Sequence, residues 1–283
     1  IAECGADAVH PGYGFLAENA PFAKTLEDAG ITFIGPPASA IDAMGSKTMA
    51  RELMQAAGVP IVPGTTTAAE SAEDVLAAAK EVGYPIAVKA SAGGGGKGLR
   101  IARAEEDVER AFETARREGD AYFADSTVYV ERYIDDPRHV EVQVLADAHG
   151  NVIHLGERDC SVQRRFQKLI EEAPCPIVSP FWRMKMGAAA IDVALALDYV
   201  GALTVEFFYF PGERKFYFNE INSRLQVEHC VTEMLTGIDL VKWQIRVAAG
   251  IPLDFSQKDI KIKGSAIECR INAENAKTFV PSP

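Results

Sequence analysis

The chain lacks the marks of several protein classes. It has no run of 18 apolar residues and no basic-then-apolar leader, so neither a membrane span nor a secretion signal is expected. Its five cysteines, Cys4, Cys160, Cys175, Cys230 and Cys269, are odd in number and show no C-x-x-C spacing. That argues against a disulfide framework or a zinc site and for reduced thiols. Basic charge is also in deficit: the net charge of −11 disfavours a protein that covers nucleic acid or an anionic membrane surface. No internal repeat or low-complexity tract occurs. What is present is a 283-residue chain, 48% hydrophobic and 24% charged, long enough for one large or two medium domains with a sizeable core. Its opening at Ile1 and its ending in Pro-Ser-Pro read as those of a fragment.

Helical pattern is expected over 18–30, 39–57, 71–82, 105–118 and 181–197, with Ser71 as an N-cap followed by Glu73 and Asp74 in the first turn. Strands are expected over 31–34, 84–90, 99–102, 128–133, 139–146, 152–159, 202–210 and 215–221. The last two are separated by the turn 211–214 and read as a hairpin. Together these elements predict an α+β or α/β fold.

The most informative segment is 216–229, an aromatic strand that becomes polar at every second residue. If it stays extended, alternation places Glu220, Asn222, Arg224, Gln226 and Glu228 on one face. The hairpin would set Glu206 near Glu220, with Asn222 two residues on. Such oxygen donors suit Mg²⁺ bound together with nucleotide phosphates. The run Lys89-Ala-Ser-Ala-Gly-Gly-Gly-Gly-Lys-Gly98 offers backbone N–H groups and two lysines to a polyphosphate. It is not a Walker A loop, which needs Gly at 91 and Ser or Thr at 98. It is not a dinucleotide fingerprint either, because a strand rather than a helix follows it. The cations of 158–168 read by default as a solvated face for Arg164 and Arg165, whereas Lys168 could reach the cleft of the paired carboxylates.

The segments 10–19, 44–47, 89–98, 138–141, 157–165, 222–229 and 268–274 resemble, in this order, those of biotin carboxylases. The resemblance covers essentially the whole chain. It implies an ATP-grasp fold with part of an N-terminal Rossmann-like (pre-ATP-grasp) domain over 1–45. The ATP-grasp domain would span 46–253 with a lid at about 61–134, and the start of the C-terminal domain 254–283. It further implies ATP, Mg²⁺ (or Mn²⁺) and carrier-bound biotin as cofactors or substrates. Lys47 and Lys89 would contact phosphates, Gly95 and Gly96 would lie over them, and Glu131, Arg132, Tyr133 and Ile134 would hold adenine. His139 would approach the ribose side, with Phe166 beside the nucleotide. Glu206, Glu220 and Asn222 would hold the metal. Lys168, Arg224, Gln226 and Val227 would surround bicarbonate, with Glu228 as its base, and Arg270 would stabilise the enolate of biotin.

The resemblance also implies as partners a biotin carboxyl carrier protein and a carboxyltransferase subunit. It implies a homodimer, no nucleic-acid or membrane partner, and a cytoplasmic location, a mitochondrial one being left open. The stretches from Lys168 and from Gly264 look more like acyl-CoA carboxylases than pyruvate carboxylases. Other bicarbonate-using ligases, of the pyruvate carboxylase, urea carboxylase or carbamoyl-phosphate type, and a non-catalytic nucleotide-binding fragment are the alternatives. The chain departs from the family pattern at Phe166 (usually His), Leu203 (Gly), Asn219 (apolar), Cys230 (Pro) and Cys175 (Ser). Leu203 is expected to crowd a strand near the metal site.

Overall fold

The computed structural model describes residues 3–45, 47–91, 98–165 and 167–280. The chain begins with a small parallel pair, β1 (Ala8–Val9) and β2 (Thr32–Phe33), joined through helix α1 (Ala20–Asp28). Asn19 starts that helix, its side chain accepting the Phe22 N–H at 2.7 Å. The single helix expected over 39–57 is two helices, α2 (Ala38–Met44) and α3 (Lys47–Ala56), because α2 terminates at Gly45.

Helix α4 (Ala72–Val82) begins at Ser71 with a reciprocal capping box to Asp74, as the sequence predicts. It packs with α5 (Val108–Phe123) on a three-stranded antiparallel sheet ordered β4-β3-β5, where β3 is Ile86–Ala90, β4 Leu99–Ala102 and β5 Val128–Arg132. The segment leading in from α3 runs against β5 at Gly64. A Cβ there would meet the Val130 carbonyl oxygen at 2.3 Å, so only glycine permits the approach.

The largest sheet is ordered β10-β9-β6-β7-β8-β11 and is antiparallel throughout. Its strands are β6 (Arg138–Ala146), β7 (Val152–Arg164), β8 (Gln167–Ala173), β9 (Gly201–Phe210), β10 (Lys215–Asn222) and β11 (Ala266–Cys269). Strands β8 and β11 are not expected from the residue pattern, because charge masks their alternation. Helix α6 (Pro180–Ala196) covers one face, where Val140, Val142, Val144, Leu203, Val205 and Phe207 join its Met186, Ala190 and Val193. The other face carries α7 (His229–Thr236) and α8 (Leu240–Ala248), the latter through Leu240, Trp243 and Val247 against Leu145 and Leu155.

The period of two therefore sorts each central strand. Even residues of β6 and odd residues of β9 build the core under α6, which sends His139, Glu141, Gln143, Thr204 and Glu206 to the opposite face. Leu203 points into that core and is fully buried, so it does not crowd the carboxylate face as expected.

All five cysteines are free. Cys175 is buried, and burial together with Asp159 pushes its thiol up to about 12. Arg164 is not simply solvated: it belongs to β7, pairs with Glu274 at 3.2 Å and lies 4.0 Å from the Phe279 ring centroid. Among the described residues no helix is long and apolar enough to cross a membrane.

Phe207 is fully buried and meets the Phe216 ring edge-on at 5.2 Å between centroids. Phe207→Ala should cost about 3–5 kcal/mol, seen as a lower midpoint of denaturant unfolding. An unchanged midpoint would show that α6 and the sheet do not depend on this contact.

Candidate active site

A β-bulge aims the first acidic pair. Register shifts between Phe218 and Glu220, so Asn219 is an extra residue in β10. Strict alternation from Phe218 would have put Glu220 on the α6 face with Phe216; the inserted residue reverses the phase and sets Glu220 directly opposite Glu206. Asn222 follows on the same face, opposite Thr204. Polar Asn219 thus lies where the ladder is interrupted.

The extended conformation expected beyond Asn222 does not continue. The Ser223 N–H donates to Glu18 Oε1 at 2.9 Å instead of pairing with a strand, and Leu225 turns into the core beside Trp243. The His229 ring then donates to the Gln226 carbonyl at 2.8 Å, closing the turn that opens α7. Gln226 and Glu228 consequently point inward and are buried. Arg224 goes the other way, donating from Nε to Glu18 Oε2 at 2.9 Å and from Nη2 to Asn222 Oδ1 at 3.1 Å. One alternating face is replaced by a folded turn.

Lys168, on β8, is the hub. Its Nζ donates to Glu141 Oε2 at 2.5 Å, Glu206 Oε1 at 2.8 Å and Glu228 Oε1 at 2.7 Å. Burial opposes its charge, but Glu141 and Glu206 outweigh burial and raise its pKa. Glu206 also accepts from Asn222 Nδ2 at 2.9 Å and Gln226 Nε2 at 3.1 Å, and its second oxygen lies 2.6 Å from His139 Nε2. Against the opposing effect of burial, His139 and Lys168 hold the Glu206 carboxyl well below the usual carboxylate range. Glu206 in turn raises the pKa of His139 despite the burial of that ring. Glu228 is clamped on its other side by Arg270, whose Nη2 donates to Oε2 at 2.7 Å while Nε donates to Glu171 Oε1 at 2.7 Å.

Two residues that the sequence did not single out complete this network. Glu141 and Arg158 are fully buried and directly opposite in register, and Arg158 Nε donates to Glu141 Oε1 at 2.6 Å. Glu141 stands two residues beyond His139 on one strand face, a spacing that could have signalled it. Arg158 was hidden in a charge run that resembled a solvated surface.

At the other end, the buried Glu131 side chain holds both Lys89 and Arg51. Arg51 further donates to the carbonyls of Thr65 at 3.0 Å and Val62 at 2.7 Å, tying α3 to the segment that enters the small sheet. The Arg132 and Tyr133 N–H groups donate to Pro63 and Pro85 carbonyls at 2.7 and 2.8 Å. Ile134 follows them on leaving β5. Val227 sits in the turn before α7, its carbonyl 3.2 Å from His229 Nδ1. The Lys47 side chain, Gly95, Gly96 and Phe166 lie outside the described residues.

Glu206, Glu220 and Asn222 fit an oxygen-seeking divalent cation. Two carboxylates opposite one another on neighbouring strands repel and could share a hard cation such as Mg²⁺; Asn222 stands beside them with its NH₂ on Glu206 and its Oδ1 on Arg224, so its oxygen would join them only with the amide turned. Lys168 and Arg270 thus flank the Glu228 carboxylate, while Arg224 is turned to Glu18 and Asn222.

Residues 46–256 match the family model described as the carbamoyl-phosphate synthase L chain, ATP binding domain, and residues 1–41 match the biotin carboxylase N-terminal domain. The chain is 56% identical over 280 residues to Biotin carboxylase 1 of Bacillus subtilis, covering 99% of this chain and 62% of that protein. Among solved structures, the biotin carboxylase domain dimer of the Hydrogenobacter thermophilus 2-oxoglutarate carboxylase, in complex with MgADP, ADP and bicarbonate, superposes with a TM-score of 0.95. It is 52% identical and covers 99% of this chain and 62% of that one. The biotin carboxylase component of a pyruvate carboxylase superposes with a TM-score of 0.77, at 54% identity over 99% of this chain and 62% of that one. The chain thus spans less than two thirds of the length of these relatives.

Lys168→Met should destabilise the protein by about 3–5 kcal/mol at neutral pH, because it strands Glu141, Glu206 and Glu228 together. Glu206 is depressed in the native protein, so its stabilisation is present above the ordinary glutamate value of 4.5 and lost as pH falls below it. In the variant Glu141 and Glu206 lose the cation that lowers them and recover stability by protonation as pH falls. The gap between the two proteins should narrow toward pH 4.5 in denaturant titrations; a constant gap would contradict this arrangement.

Proposed function

This chain belongs to the biotin carboxylase branch of the carbamoyl-phosphate synthase L chain ATP-binding family, with the ATP-grasp fold, and on that premise we propose that it carries the ATP- and Mg²⁺-dependent carboxylation of biotin by bicarbonate. The observation that carries the reading is Glu228, a buried carboxylate held 2.7 Å from both Lys168 Nζ and Arg270 Nη2. A base between two cations suits a substrate that is itself an anion and must lose a proton. The domain assignment follows: 1–45 for the N-terminal part, 46–253 for the ATP-grasp domain with its lid at about 61–134, and 254–283 for the start of the C-terminal domain.

Bicarbonate would be held by Lys168, Arg224, the Gln226 side-chain amide and the Val227 main chain. A carboxylate has about four lone-pair sites, so Glu228 can keep its cations and still accept the bicarbonate proton. The deprotonated oxygen attacks the γ-phosphorus of ATP, the bond to the β-phosphate oxygen breaks, and ADP and carboxyphosphate result. Lys47, Lys89 and the loop residues Gly95 and Gly96 would hold the phosphates. Glu131, Arg132, Tyr133 and Ile134 would frame the adenine, with His139 and Phe166 nearby. Glu206, Glu220 and Asn222 would hold Mg²⁺, which when bound neutralises charge on the transferring phosphoryl group.

Carboxyphosphate then separates into CO₂ and phosphate. The phosphate removes the biotin N1 proton, and N1 bonds to CO₂. Arg270, permanently charged, would support the oxyanion that forms on the ureido oxygen.

The acceptor of the second half-reaction is proposed to be an acyl-CoA, reached through a biotin carboxyl carrier protein and a carboxyltransferase. The protein is proposed to act as a homodimer in the cytoplasm. A 2-oxo acid acceptor is the second reading. It is favoured by the 54% identity to the biotin carboxylase component of a pyruvate carboxylase, compared with 52% to the alpha chain of methylcrotonoyl-CoA carboxylase of Arabidopsis thaliana.

Bicarbonate-dependent ATP hydrolysis by the full-length protein, stimulated by free biotin, is the expected result; hydrolysis indifferent to biotin would sink the reading. Glu228→Gln should lower turnover about 10²–10⁴-fold with nucleotide affinity retained. Undiminished turnover would remove Glu228 as the base.

A further inference from the structure

Arg158 lies beneath the cleft and touches no solvent. A guanidinium has five N–H donors and no acceptor, and here all five are used. Nε donates to Glu141 Oε1 at 2.6 Å, Nη1 to Gln143 Oε1 at 2.8 Å and Thr232 Oγ1 at 3.0 Å, and Nη2 to Thr204 Oγ1 and Gln226 Oε1, both at 3.2 Å. The partners come from β6, β9, α7 and the turn after β10. We propose that Arg158 is a positioning residue for the anion pocket: by taking the carbonyl oxygen of Gln226 and one oxygen of Glu141, it fixes which atoms of those two residues face the cleft.

An arginine can accept no hydrogen bond. Whichever end of the Gln226 amide meets Arg158 must therefore be the oxygen, so the NH₂ end must face away from it. That NH₂ donates to Glu206 Oε1 at 3.1 Å, beside Lys168 Nζ. Without Arg158 the amide could turn and present its carbonyl to the cleft, where it would repel an anion. The same division applies to Glu141. With Oε1 committed to Arg158, Oε2 is left to hold Lys168, which sets the ammonium between Glu206 and Glu228. A neutral hydrophobe would fill the space but would dictate neither orientation. A lysine would keep the charge but has three donors rather than five and no planar fork.

The inference rests on the proposed bicarbonate chemistry, and the test separates the two. In the full-length protein, bicarbonate-dependent ATP hydrolysis is measured for the wild type, Arg158→Lys, Gln226→Ala and the double variant. Arg158→Lys should raise the KM for bicarbonate about 10–100-fold, the range typical when a group that orients a ligand is lost. Its KM for ATP should stay unchanged. In the Gln226→Ala background the part of that effect carried by Gln226 should vanish, leaving the smaller part that runs through Glu141 and Lys168.

Gln226→Glu supplies a check that does not require altering the buried arginine. A carboxylate there keeps an oxygen for Arg158, yet it puts a second oxygen where the NH₂ stood, against Glu206, and should raise the bicarbonate KM while lowering the thermal midpoint. Additive effects in the cycle, or a Gln226→Glu protein with an unchanged bicarbonate KM, would overturn the inference. A wild type whose hydrolysis ignores bicarbonate would overturn the functional reading and this inference together.

Discussion

The site depends on one constraint: a buried charge must be paired and hydrogen-bonded or it will not stay charged. The face of the large sheet opposite α6 carries Glu141 and Glu206, the turn into α7 lays Glu228 over them, all three are buried, and the ammonium of Lys168 touches each. Two arginines and a histidine close the alternation, Arg158 on Glu141, Arg270 on Glu228 and His139 on Glu206. No member can move independently, since each carboxylate is held by at least two donors. This is how a strand sheet, whose side chains otherwise stand apart in rows, holds a set of acids and bases in fixed mutual positions.

The opposite face makes such a charged layer tolerable. Val140, Val142, Val144, Val205 and Phe207 are completely buried against α6 or nearly so. Burial of this kind contributes about 25 cal/mol per Å² of apolar surface, which helps anchor strands whose other face gives part of its area to charge and packs only its remainder, around Leu145 and Leu155, against α8. The strand period thus keeps the charged cluster off the face that α6 covers. Asn219 is the exception that serves the division. By interrupting β10 it lets Phe218 stay in the core while Glu220, only two residues later, faces Glu206.

Much of this was legible in the residues. The hairpin that joins Glu206 to Glu220 could be read from its turn and flanking strands, and Lys168 from its place two residues beyond Phe166 on an extended stretch. The course of 223–228 could not, because its direction is set by Glu18, which is 205 residues from Ser223 in sequence and meets it only after the N-terminal unit docks. The break of 39–57 into two helices was likewise invisible, Gly45 being tolerable in a continuous helix until packing decides otherwise. Arg158 escaped notice for a general reason. Charge in a sequence is by default a solvent signal, and only cross-strand pairing with Glu141 makes this one an interior residue.

The paired state of the cleft also bears on how an anion could enter it. Lys168, Arg224 and Arg270 are each already engaged by carboxylates or an amide oxygen. An incoming bicarbonate would therefore exchange one anionic partner for another rather than bring charge to bare cations. Such an exchange avoids the larger cost of stripping water from a fresh ion. Glu228 shares both of its cations with neighbouring acids, Lys168 with Glu141 and Glu206 and Arg270 with Glu171, so an anion entering there would meet cations whose charge is already balanced, and the neighbouring acids rather than Glu228 can give up a contact to admit it.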